Sequence, residues 1–413
     1  MILALRLHFL TMMKTHFRSQ LLSAWICFQS LLLTGPVMAA KEKEELVECS
    51  SVASAVPLPA VAAPQKLFQG TSVLEMSVRS DWALIRSLLP LEATLTKETR
   101  TKFPGFFVTD NGNLAATFQI KGNTSAGRFD FPKLKFRFEK PLPTLSVPLK
   151  PPPMRPSLFA EVDGFSINTH GYDLSIDRED GFAQGDKTPF REATAYELAA
   201  AAGLPTRAVR RAQVTYVSMD SSPTFVKPAL LLEREGDFFK RLGAKEIELQ
   251  GPMLPPTVCL NTPDVELAKI VLFHSMLGNW DYMIPPGLGF HNLMIGKMKT
   301  AENQFRVVLA PEDFDNAAAV RGEATDQGTP RIEWPSDDLL EKYVASLILE
   351  RRKKYSIKTW QLAAEDLKQR KPEILKALEV ANVDERGRKN FEKYITAFFA
   401  VVDKALLIDL ADQ

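Results

Sequence analysis

The sequence predicts an α+β protein in which an N-terminal antiparallel sheet carrying one helix precedes a mainly helical C-terminal part. Short alternating segments broken by turn residues run from Leu114 to Glu233, whereas apolar residues recur at helical spacing from Trp334 onward. Between these regions, the stretch from Gly278 to Asn316 places acids and amides at the ends of predicted elements. With 413 residues, 45% of them apolar and 24% charged, the chain is long enough for substantial cores and is not of disordered composition.

The first 39 residues contain Arg6, Lys14 and Arg18 but no acid, followed by LLSAWICFQSLLL and a small-residue site at Val37, Met38 and Ala39. This pattern predicts a secretory signal peptide over 1–39, with Met12 or Met13 as an alternative start. The apolar run is interrupted by Cys27 and Gln29 and is short for a bilayer span, so no transmembrane helix is expected after cleavage. The expected location is therefore exported: periplasm, cell envelope or extracellular. Residues 40–65 combine the charge run KEKEE with an Ala/Pro/Val/Ser stretch lacking periodicity, which reads as a linker. The whole chain has 51 bases against 50 acids, and removing the leader turns the balance slightly acidic. No nucleic-acid partner is expected. Cys49 and Cys259 would remain, compatible with either one disulfide or two free thiols, and their spacing forms no zinc site.

The sheet-containing region is assigned to residues 66–260. Within it, LAATFQIKGNT and FPKLKFRFE form a hairpin signature. Period-two geometry puts Leu134, Phe136 and Phe138 on an apolar face and Lys133, Lys135 and Arg137 on a cationic one. That cationic face is either a solvated side of the sheet or a source of a phosphate-binding lysine, Lys133 or Lys135. Residues 141–156 are an exposed proline-rich insertion, because proline fixes φ and lacks the N–H that a helix or central strand needs. From Pro189 to Gly203, proline at the start and glycine at the end bracket a helix. Glu197 on this alanine-rich helix needs a cationic partner, expected from the lysine strand, with Glu192 as the alternative acid. RAQVTYV and TFVKPALLLE continue as strands.

Residues 261–413 form the mainly helical part. Thr262 and Pro263 are read as the cap and first turn of VELAKIVLFHSML, which is apolar nearly all round and therefore central, ending at Gly278. It delivers Asp281; Asn292 opens the next strand, and Asp313 and Asp315 close the one after, so a hairpin gathers all four at one end. Four further helices are read over LLEKYVASLILERRKKY, IKTWQLAAEDLKQ, PEILKALEV and NFEKYITAFFAVVDKALLIDL.

Carboxylate and amide oxygens suit hard Mg²⁺ or Mn²⁺, which bridge phosphate oxygens in phosphoryl transfer. Asn292, Asp313 and Asp315 are the candidate metal residues, and Asp281 would position an acceptor hydroxyl. A lysine sheet and glutamate helix followed by these acids is the order of a bilobal protein-kinase-like fold. A substitute phosphate loop would be KGNTSAG, Lys121 to Gly127.

The segments KGNTS with FPKLKFRFE, FREATAYELAAAAGLPT, GNWD, FHNL and EDFDNA resemble the spore coat protein H (CotH) kinase family over roughly Leu114 to Ala318. The resemblance implies an atypical protein-kinase-like fold that binds ATP with divalent metal and phosphorylates serine on partner proteins. By match to the family, Asp281 is the catalytic-loop aspartate, Asn292 the asparagine before the next strand, Asp313 the metal aspartate and Asp315 the second acid. Lys133 fits the family's Pro-Lys position better than Lys135. Two departures are Glu312, where family members commonly carry tryptophan, and IPPGLGF between Asp281 and Asn292. The expectation is thus an exported kinase acting on a protein serine or threonine hydroxyl. The alternatives are a non-catalytic secreted or envelope protein retaining the fold, and transfer of AMP rather than phosphate.

Overall fold

The computed structural model describes residues 61–407, apart from 93, 97–98, 111, 123–129, 140–155, 172–184, 220–223, 250–252, 256–259, 285–289, 302–303, 322–335 and 353. The expected signal peptide, nearly all of the linker, the proline-rich insertion up to residue 155, Cys49, Cys259, most of KGNTSAG and the PPGLG of the Asp281 loop lie outside the described residues.

Seven strands form the first half: β1 (Leu74–Ser80), β2 (Lys102–Thr109), β3 (Gly112–Lys121), β4 (Lys133–Phe138), β5 (Gly164–Asn168), β6 (Val209–Ser218) and β7 (Phe225–Leu232). They close into a barrel in the order β1-β2-β3-β4-β5-β7-β6. The expected hairpin is β3 against β4, with Lys121 opposite Lys133 and Ile120 opposite Leu134. The expected antiparallel sheet is a closed barrel, in which β1 pairs antiparallel with β2 and parallel with β6. Closure leaves no edge strand with unpaired backbone groups. Leu114, Phe118, Ile120, Leu134, Phe136 and Phe138 point inward with Phe107, Phe159 and Phe165, an aromatic core that follows from the period-two pattern. Gly105 is required for this packing, since a Cβ there would lie 2.4 Å from the Phe118 ring. The short helix α1 (Trp82–Ser87), capped by the Asp81 carboxylate, lays Trp82 against Phe118 and Tyr216.

Helix α2 (Thr188–Ala201) interrupts the strands in sequence, with Pro189 in its first turn. Its Ala193, Ala195, Tyr196, Leu198 and Ala199 join the core of the helical half. After β7 come α3 (Glu235–Arg241), the short strand β8 (Ala244–Glu246) and α4 (Asp264–Met276). α4 is buried on almost every side, as its unbroken apolar run requires. Thr262 does not cap it; its hydroxyl donates to the Val307 carbonyl at 2.7 Å, and Pro263 takes the cap position. The expected hairpin is β9 (Leu293–Ala301) against β10 (Gln304–Pro311), with β8 on the β9 edge. After a single helical turn at Ala318–Arg321 come the four expected helices: α5 (Asp337–Arg352), α6 (Ile357–Gln369), α7 (Lys371–Val380) and α8 (Glu385–Leu407). The protein is thus α+β, a strand-rich barrel followed by a helical region. Among the described residues no helix is long and apolar enough to cross a membrane.

Candidate functional site

Leu134 and Phe136 face the barrel interior, so Lys133, one residue earlier on β4, must face outward. Outward here is not into solvent. The ammonium lies 2.5 Å from Asp313 Oδ1 and 2.9 Å from Asp315 Oδ2, with the lysine side chain only 8% exposed. Asp313 and Asp315 follow β10, so this contact joins the barrel to the β9–β10 hairpin. Glu192 of α2 stands nearby, both its oxygens accepting from Asn168 Nδ2 at 2.8 and 2.9 Å.

Burial opposes the Lys133 charge, but Asp313, Asp315 and Glu192 outweigh it and hold the ammonium well above the usual lysine range. The Asp313 carboxyl is held below its usual range because Lys133 and Lys121 overcome its desolvation. Asp315 moves the other way, raised by burial and by the charge of Asp313. Burial, with the neighbouring aspartates, pushes Glu192 up to about 7 despite Lys133. One buried ammonium therefore serves three clustered acids, two of which burial drives toward protonation.

Among the described residues, Asn292 (φ 54°) and Asp313 (φ 58°) are the non-glycine residues in the left-handed region. Both belong to this cluster, and such conformations persist where the surroundings hold them in place. The Asp313 N–H donates to the Tyr196 hydroxyl at 3.1 Å, and the Glu312 N–H donates to the Asn292 carbonyl at 3.0 Å. Phe314, between the two aspartates, is fully buried against Tyr196, Phe273 and His274. Packing of Phe314 into the helical core thus turns the flanking carboxylates toward Lys133.

Asp281 is positioned from several directions. Its N–H donates to Asn279 Oδ1 at 3.0 Å, its Oδ1 lies 3.1 Å from His291 Nε2, and its Oδ2 accepts from Asn316 Nδ2 at 2.7 Å. Asn292 Nδ2 donates to the Asp281 carbonyl at 2.5 Å. Desolvation opposes its ionisation, but the His291 and Asn316 bonds prevail and keep the carboxyl below its usual range. The bond to Asp281 raises His291 in return, against its partial burial.

The expected residues therefore fall into two adjoining groups. Lys133, Asp313 and Asp315 touch one another; Asp281 and Asn292 touch one another, and Asn316 ties Asp281 to the segment carrying Asp313. Lys135 is half-buried, two residues further along β4, opposite Gln119 and Ser166. The expected pairing of Glu197 with the lysine strand is corrected: its Oε2 accepts from Arg211 Nη2 of β6 at 2.8 Å. Arg211 Nη1 bonds Glu197 Oε1 as well, so this carboxylate is committed elsewhere. Glu192, five residues earlier, is the acid that faces Lys133. A turn-by-turn reading separates them, because Glu192 and Tyr196 are four apart and share a helix face, whereas Glu197 is rotated away. Tyr196, His291 and Asn316 were also not anticipated, although His291 and Asn316 stand inside FHNL and EDFDNA.

Glu312 is bound by Arg207 at 3.3 Å, and Arg207 is itself buried and donates to the Glu233 carbonyl at 2.6 Å.

Among the described residues, no group of three or more His, Cys, Asp or Glu is arranged to hold a metal ion. The Asp313 and Asp315 carboxylates nevertheless meet at the Lys133 ammonium, and Asp315 Oδ1 is buried without a hydrogen-bond partner. A buried, unsatisfied carboxylate oxygen beside a second carboxylate fits a hard divalent cation whose remaining ligands come from phosphate and water. In comparisons with known proteins, no family model matches this chain and no curated protein does.

Proposed function

We propose that this chain is a protein-kinase-like phosphotransferase resembling the CotH kinase family, using ATP with Mg²⁺ or Mn²⁺ to phosphorylate a serine or threonine hydroxyl of a protein. The observation that carries the reading is the Lys133 ammonium from the barrel held between Asp313 and Asp315, with the hydrogen-bonded Asp281 carboxylate alongside. In this reading the barrel with α2 is the nucleotide lobe and the helical region the lobe that receives the acceptor.

Asp313 and Asp315 would hold the divalent cation, which supplies charge neutralisation to the polyphosphate when bound. Each Asp281 oxygen has one partner and keeps a lone pair, so the carboxylate is oriented while free to accept a proton. As the acceptor oxygen forms its bond to the terminal phosphorus, the anhydride bond to the diphosphate breaks, and the hydroxyl proton passes to Asp281. The depressed pKa keeps Asp281 ionised at neutral pH, and Asn316 and His291 fix its direction.

Purified protein is expected to transfer labelled phosphate from ATP to a protein in an envelope extract only with Mg²⁺ or Mn²⁺. Asp281→Ala should abolish transfer while retaining nucleotide affinity; Asp313→Ala should lose metal-dependent nucleotide binding. Unchanged binding and transfer in Asp313→Ala would show the site assignment to be wrong.

A second reading, a non-catalytic exported binding protein, is favoured by one observation: Lys133 already pairs with both aspartates, as a structural ion triad does. It predicts no thermal stabilisation by nucleotide with metal, whereas a saturated site stabilises by about 2.7 kcal/mol at a hundredfold excess over Kd.

A further inference from the structure

Lys121 and Lys133 are directly opposed across the antiparallel β3–β4 pair, so both side chains leave the same outer face of the barrel. Like charges directly opposite destabilise a sheet unless anions separate them. Here the two lysines differ in what surrounds them. Lys133 is buried, with both Asp313 and Asp315 on its ammonium. Lys121 is half-exposed, and among the described residues nothing bonds its ammonium. Its charge nonetheless reaches Asp313 and Glu312, which places it on the same side of the cluster.

The other cations around the cluster are engaged. Arg207 is buried on Glu312, His291 is bound to Asp281, and Lys135, Arg321 and Lys133 all have partners. Against them stand Asp281, Glu312, Asp313, Asp315 and Glu192. The donors of these cations are already engaged by groups of the protein itself, so a polyphosphate approaching this surface, with or without a divalent cation on Asp313 and Asp315, needs a cation outside these pairs. An ammonium whose donors are not already spent is needed on the phosphate side. Next to it, Gly122 has φ 80°, a conformation that turns the chain away at the end of β3 and leaves the Lys121 side chain at the rim.

We propose that Lys121 is the polyphosphate-binding lysine of this site, and that Lys133 is a positioning residue that holds Asp313 and Asp315 together. This rests on the phosphotransferase reading for the nucleotide but not for the polyphosphate.

Isothermal titration tests it with Mg·ATP, Mg·tripolyphosphate and adenosine against wild type, Lys121→Gln and Lys121→Arg. The expected result is that Lys121→Gln weakens Mg·ATP and Mg·tripolyphosphate about tenfold or more, as loss of one charge-assisted contact should. Adenosine affinity and melting temperature should stay at the wild-type values, and Lys121→Arg should restore most of the loss. Equal Mg·ATP affinity in wild type and Lys121→Gln would overturn the assignment. If wild type binds tripolyphosphate in a Lys121-dependent way but not ATP, the lysine assignment stands and the nucleotide reading falls. If it binds neither, both fall.

Discussion

Asp313 shows how one residue carries the geometry of the site. A residue with a Cβ enters the left-handed region at a cost of about 1 kcal/mol, and asparagine and aspartate enter it most readily. The Tyr196 hydroxyl and the buried Phe314 side chain offset that cost here, and the reward is a carboxylate aimed at Lys133 rather than along the strand. Gly278 has the comparable role at the start of the Asp281 loop. Its φ is 62°, and a Cβ there would meet the Tyr394 ring at 2.4 Å. Gly278→Ala is therefore expected to destabilise the protein by more than about 1 kcal/mol in urea unfolding, since strain and overlap add. A midpoint equal to wild type would mean that this turn is not held as described.

At the scale of elements, helix α2 links the two halves through residues on different faces. Arg191 reaches Asp384 at 2.8 Å, Glu192 faces Lys133, Tyr196 holds the Asp313 backbone, and Glu197 pairs with Arg211. Sequence periodicity located this helix and its ends but chose Glu197 over Glu192, because a helix that is alanine-rich all round does not reveal which face meets which neighbour. The pKa of Glu192 makes the choice testable. Burial raises it from 4.5 to about 7, so the folded state binds a proton that the unfolded chain releases between those values. Its stabilising contribution is thus complete below pH 4.5 and is lost as pH rises through about 7. The stability of wild type relative to Glu192→Gln should fall by about 3 kcal/mol over that window, at about 1.4 kcal/mol per pH unit. A flat difference for Glu192→Gln would contradict its burial beside Asp315.

Over the whole molecule, two buried histidines expose both halves to acid. His170 stacks on Phe131 beside the barrel core at a centroid distance of 4.9 Å, and His274 stacks on Tyr282 in the helical core at 4.0 Å. Burial, reinforced by Lys227 and Arg86 for the first and by Arg351 for the second, lowers each from 6.5 to about 3. As pH falls below 6.5 the unfolded chain takes up protons that the folded chain refuses, so stability present above that value is lost toward pH 3. Each histidine contributes a slope of about 1.4 kcal/mol per pH unit in this window. Denaturant unfolding between pH 4 and 6.5 is expected to show His274→Phe losing about 1.4 kcal/mol less stability than wild type per unit of falling pH, a difference in which the opposite slope of Glu192 cancels. An unchanged slope in that variant would show that His274 is not held neutral.

The sequence by itself determined the local elements. The β3–β4 and β9–β10 hairpins, helices α2 and α4, and the four C-terminal helices follow from periodicity, glycine and proline, which act within a few residues. It also supplied Lys133, Asp281, Asn292, Asp313 and Asp315, because acids and amides at element ends are visible as residue types in order. The barrel was not legible: β1 closes it by pairing with β6, more than a hundred residues away, and no local pattern encodes a partner at that distance. Only the tertiary structure decided that Glu192 rather than Glu197 meets the lysine, that Tyr196 and Asn316 fix the two aspartate segments, and that Lys133 is buried while Lys121 opposite it is not. Strand alternation gives both lysines the same face; which one is covered depends on where the helical half packs, and that is set by the sum of burial across the whole chain.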